Sequence, residues 1–112
     1  MSTIKYPYGN AEIIALTATG TQALSITNSV TIIDGATFQA TGNRTIDLTI
    51  DSEVKIGSMI IVKSKTAATQ TTIFGTSITG PTVTGVAGKT ITATFIYDGS
   101  AFVASGAEVQ ID

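Results

Sequence analysis

The chain has 112 residues, the length of one domain, and 43% of them are apolar while only 12% are charged, half the share of an ordinary globular chain. It contains no Cys and no His, so disulfides cannot supplement its core and the commonest acid–base catalyst is missing. A net charge of −2 supplies no attraction for nucleic acid phosphates.

The first ten residues read as an N-terminal arm. Met1-Ser2-Thr3-Ile4-Lys5-Tyr6-Pro7-Tyr8 has no apolar h-region, so no secretion signal is expected. Tyr6, Pro7 and Tyr8 are the candidate partner-anchoring residues, because aromatic side chains beside a terminus are more often docked than free. No later stretch approaches the roughly 18 uninterrupted apolar residues of a membrane helix, and no membrane partner is expected.

From residue 11 to 112 the pattern has a period of two, the signature of strands whose side chains alternate between faces. Short runs of Ile, Val, Thr and Phe are broken by Gly, Asn and Asp about every 8–12 residues, which predicts a sandwich or barrel. About a fifth of the residues are Thr, which is stiff at χ1 and suits a pleated surface. Strands are expected near 11–18, 21–27, 29–34, 36–41, 44–51, 58–64, 69–74, 77–84, 89–97, 100–105 and 107–111. Asp34-Gly35 and Gly42-Asn43 mark turns that do not fit simple two-residue loops. In 44–51, Ile46, Leu48 and Ile50 line one face and Thr45, Asp47, Thr49 and Asp51 the other. Ser58-Met59-Ile60-Ile61-Val62-Lys63 is apolar on both faces and reads as a central strand. The segment from Gly75 to Gly88 reads as loop-dominated, with Pro81 kept out of any central strand. At Tyr97-Asp98-Gly99-Ser100, Asp-Gly predicts a two-residue type I′ hairpin with Phe95 opposite Phe102. Ile91, Ala93, Phe95, Tyr97 and Phe102 then form the expected core face. No internal repeat is apparent.

The chemical motifs favour bland readings. Gly85-Val86-Ala87-Gly88-Lys89-Thr90 ends like a phosphate loop, but Val83 occupies the position of the first Gly and a strand pattern follows where a helix is required. Asp47 and Asp51 lie four strand positions apart, about 13 Å, too far to share an ion or form a retaining glycosidase pair. Lys63 and Lys65 share a face at a strand's end, with Arg44 and Lys55 elsewhere, and read as edge lysines that discourage aggregation. Asn43-Arg44-Thr45 matches a glycosylation acceptor, discounted without a secretion signal. Tyr97 reads as core rather than as a sugar-stacking platform. No nucleophile has a recognisable base, so no enzyme, metal or cofactor is expected.

Gly57-Ser58-Met59-Ile60-Ile61-Val62 through Thr71-Thr72-Ile73-Phe74-Gly75, followed by Lys89 to Val103 with its Tyr97-Asp98-Gly99-Ser100 turn before Phe102, resembles small β-domains of tailed-bacteriophage virion proteins. Such domains occur in head fibres, capsid decoration proteins and tail fibres; where this chain has Phe102 they frequently have Trp. The resemblance spans Gly57 to Gly106. It implies an all-β, antiparallel β-sandwich, jelly-roll-like and forming a single domain, assembled as a homo-oligomer (a trimer favoured) on the capsid surface of a virion. The implied role is a non-enzymatic capsid decoration, cement or head-fibre subunit whose partners are itself and the major capsid protein. A receptor- or carbohydrate-binding module of a tail fibre, using loops from Thr76 to Ala87, is the alternative.

Overall fold

The computed structural model describes residues 11–112, all-β with no helix among them. The expected N-terminal arm, with Tyr6, Pro7 and Tyr8, lies outside the described residues. Eleven strands form: β1 (Glu12–Ala15), β2 (Gly20–Ile26), β3 (Val30–Ala40), β4 (Arg44–Ile50), β5 (Met59–Thr66), β6 (Thr71–Phe74), β7 (Ile78–Thr79), β8 (Val83–Thr84), β9 (Thr90–Tyr97), β10 (Phe102–Ala104) and β11 (Val109–Gln110). They make two facing sheets. The large sheet runs β1-β3-β5-β9-β10-β7, with β11 also on β9, and the small sheet runs β2-β4-β6-β8.

The winding differs from the antiparallel expectation. β1 pairs with β3 and β3 with β5 in parallel, and β2 with β4 and β4 with β6 likewise. The chain therefore alternates between sheets, each strand landing beside the one two before it, as in a β-solenoid. Antiparallel pairing begins where the winding stops: β9 turns back along β5, β8 along β6, and β10 and β11 along β9. A jelly roll is built from antiparallel neighbours, so that part of the expectation does not describe this strand order. The coils are unequal: Ile13 pairs with Ile32, but Ile32 with Ile61, and Leu24 with Leu48, but Ile46 with Phe74. Without a constant period the stacking leaves no repeat in the sequence.

Strand positions follow the alternation closely, with three corrections. Asp34-Gly35 is no turn; it lies inside β3, where Gly35 pairs with Ser64 before the register slips through a bulge and resumes at Ala40 and Thr66. A Cβ on Gly35 would lie 2.6 Å from the Lys63 carbonyl, so only glycine keeps this ladder closed. The expected strand 77–84 divides at Gly80-Pro81 into β7 and β8, which join different sheets. The Asp98-Gly99 hairpin has a four-residue loop, because the Asp98 carboxylate accepts from the Ser100 and Ala101 amides at 2.8 and 3.0 Å. Tyr97 therefore pairs with Phe102, and Phe95 with Ala104. A slip of two positions preserves faces, so Phe95 and Phe102 remain in the core as read.

The core lies between the sheets, where Leu24, Ile26, Ile46 and Leu48 of the small sheet meet Ile33, Ile60, Val62 and Phe95 of the large one. Phe95 meets Phe74 edge to face across the gap, centroids 4.7 Å apart. Thr31 is also fully buried, and its hydroxyl has no hydrogen-bond partner. Thr31→Val replaces that hydroxyl with a methyl of the same shape, relieving about 1 kcal/mol of unmet desolvation. The expected outcome is a thermal midpoint raised by roughly 4 °C, measured by circular dichroism; an unchanged or lower midpoint contradicts it.

Candidate functional site

The two sheets present different outer surfaces. On the small sheet the outward residues are Thr21, Ala23, Ser25, Thr45, Asp47 and Thr49, with Ile73 the apolar exception, which is how a solvated sheet face reads. The large sheet is apolar outside as well as inside. Ladder pairing aligns its outward residues into rows that cross the strands. One row runs Ile13, Ile32, Ile61 and Thr94. The next runs Val30, Met59, Ile96 and Val103. A third row, at the other end of the strands, runs Ala15, Asp34, Lys63 and Thr92. Ile13 is 66% exposed and Ile96 37%, while Val30, Ile32, Met59, Ile61 and Val103 are half-buried. A contiguous apolar patch bordered by charge marks an interaction surface.

Asp34 and Lys63 occupy paired positions at the polar end of this face. The Asp34 carboxylate takes the Thr37 hydroxyl at 2.6 Å and the Ala36 amide at 2.9 Å. Those two bonds, with smaller help from the Thr37 amide and the Lys63 charge, hold its pKa below the usual carboxylate value. Asp34 thus stays an anion at neutral pH while shaping the bulge. Lys63 and Lys65 are not edge lysines: β5 is central, between β3 and β9, and its lysines stand on the outer face.

Arg44, which the sequence pattern left among scattered surface charges, is 1% exposed. Strand alternation puts it on the inner face of β4 with Ile46 and Leu48. Its guanidinium crosses to the large sheet, where Nη2 donates to the Gly35 carbonyl and the Ser64 hydroxyl, each at 3.0 Å, and to the Lys65 carbonyl at 3.3 Å. Nη1 donates to the Phe38 carbonyl at 3.0 Å. Ser64 shares a further 2.8 Å bond with the Thr72 hydroxyl. Burial draws the Arg44 pKa down, opposed by the Asp34 charge. This cluster ties the two sheets together at one end and reaches no open surface.

The other sequence candidates serve the backbone. Asp47 accepts the Thr76 amide at 2.8 Å, and Asp51 the Glu53 amide at 2.9 Å. Asn43 accepts the Thr71 amide at 3.0 Å. Gly88, at φ 73°, turns the chain into β9, so a strand follows Lys89. Tyr97 packs on the core and donates its hydroxyl to the Gly99 carbonyl at 3.0 Å. The segment from Thr76 to Ala87 is stitched into both sheets through β7, β8 and a bridge between Thr66 and Ala87. A cleft of about 330 Å³ lies between Thr27–Ser29 and Glu53–Ser58. Among the described residues no group of His, Cys, Asp and Glu is placed to hold a metal.

The outer face was partly legible in the sequence, because 58–63 is apolar on both faces. A strand of that kind is covered on both sides, and among the described residues the second sheet covers only one. A scan against models of known protein families finds no match to this chain, and a search among curated proteins finds none.

Proposed function

We propose that this chain is a non-enzymatic structural subunit of a bacteriophage virion, a capsid decoration or cement protein or the base of a head fibre, seated on the capsid surface against the major capsid protein. The observation that supports this reading is the apolar outer face of the large sheet, centred on Ile32 and Ile61. A sheet apolar on both faces works by being covered, so the face supports a chain built to be one part of a larger assembly, whichever chain covers that face. The tail-fibre alternative relies on free loops, and Thr76 to Ala87 is held in the sheets.

A partner that binds only the native assembly raises its stability by mass action, by about 2.7 kcal/mol at a hundredfold excess over Kd. Particles lacking the subunit, melted with and without added purified chain, test the reading. A raised melting temperature at saturating occupancy is expected. Failure of the chain to bind particles at all, together with binding to isolated cells or glycans, refutes it in favour of the receptor module.

A further inference from the structure

The outer face of the large sheet is self-complementary, and we infer that a second copy of this chain covers it, related by a twofold axis running along the strands between β3 and β5. This inference rests on the reading above only for its setting; it names what the apolar face binds.

The argument starts from the rows. A twofold axis parallel to the strands leaves the height of every row unchanged and exchanges left with right. β3 of one copy then lies over β5 of the other. Ile32 meets Ile61 and Val30 meets Met59, apolar on apolar. At the polar end Asp34 meets the second copy's Lys63, and Lys63 the second copy's Asp34, so two opposite-charge contacts form where two rows of like composition face each other. An axis across the strands would instead lay Asp34 and Lys63 on the Val30 and Met59 row, burying charge against apolar side chains. Charge complementarity therefore selects the axis as well as the partner.

Area sets the strength of the pairing. About this axis β3 lies over β5 and β1 over β9, so four strands overlap, about 19 Å by three rows of about 20 Å, and face-to-face pairing covers about 760 Å² over both copies. That is under the roughly 1,000 Å² of a stable interface, so the pairing is a weak one that forms at high concentration. A threefold arrangement, which the resemblance to virion domains implies, would divide the flat face between two neighbours and leave each pair about half as much. Two sheets packed face to face at about 10 Å, strands within about 30° of parallel, is the ordinary geometry of a sandwich.

The test is the solution mass of the full chain by sedimentation velocity over a dilution series, for wild type, Ile61→Asp and Ile13→Asp. Ile13 is 66% exposed on the edge strand, so its substitution leaves the core untouched, and circular dichroism checks that both variants remain folded. A wild-type dimer is expected, with association weakened at least about 30-fold by Ile61→Asp, the size of a central contact, and less by Ile13→Asp. Lys63→Asp, which sets two carboxylates against each other, weakens it too, whereas Lys63→Arg does not. A wild-type monomer at every concentration, a trimer, or a dimer indifferent to both Ile substitutions overturns the inference. The functional reading fails separately: a dimer that adds nothing to particle stability removes the virion role and leaves the pairing, while a monomer that stabilises particles does the reverse.

Discussion

Arg44→Met is expected to cost the fold about 3–5 kcal/mol, roughly a fifth or more of the stability of a domain this size. Burying a guanidinium is itself expensive, and replacing a whole buried polar cluster with apolar groups is often neutral. Removing Arg44 alone is different. It leaves the Gly35, Phe38 and Lys65 carbonyls and the Ser64 hydroxyl without the donors that now reach them at 3.0 to 3.3 Å. Each bond to a charged donor is worth about 1.5–3 kcal/mol. The substituted methionine also cannot hold β3 at its bulge, since those acceptors line the slip in register after Gly35. Arg44→Lys should rescue little, because one ammonium cannot span acceptors that two nitrogens now divide. Urea unfolding followed by far-ultraviolet circular dichroism measures this; a loss below about 1 kcal/mol for Arg44→Met would show that the cluster holds nothing together.

Phe95→Ala is expected to cost a similar 3–5 kcal/mol, the usual range for emptying a buried aromatic site. Phe95 is 1% exposed and sits where three pieces converge. Its ladder joins β5 and β10 in the large sheet, and its ring meets Phe74 of the small sheet at an interplanar angle of 63°. Beneath it passes Gly80, where a Cβ would lie 2.9 Å from the Phe95 ring. The chain crosses from β7 to β8 under that ring, so truncation loosens the segment that closes the far end of both sheets. In a double-mutant cycle with Phe74→Ala, the edge-to-face contact should appear as a coupling of about 0.5–1.5 kcal/mol. Strictly additive losses would mean that the two rings merely fill neighbouring space. Phe95 and Phe74 lie on the inner side of the sheets, so their variants separate folding from association.

The contrast between these residues shows what could be read in advance. Phe95 and Phe102 stood on the predicted core face because period-two alternation is a local property, and an error of two in the hairpin register left every face unchanged. The same alternation located strands such as 44–51 and 58–64 and marked the second as central. It also contained the signal for Arg44, which has the parity of Ile46, Leu48 and Ile50. Charge argued for the surface, and only the opposing carbonyls of β3 and β5 explain how a cation is accommodated inside.

By itself, then, the sequence determined that the chain is all-β, where its strands fall and which side chains share a face, since each depends on backbone geometry over a few residues. Strand partners were decided only in the tertiary structure. Parallel pairing joins segments far apart in the chain through coils of unequal length, and no local preference encodes that choice. The apolar face arises at the same level: Ile13, Ile32 and Ile61 are isolated outward residues of three separate strands, and become one surface when β1, β3 and β5 stack in register.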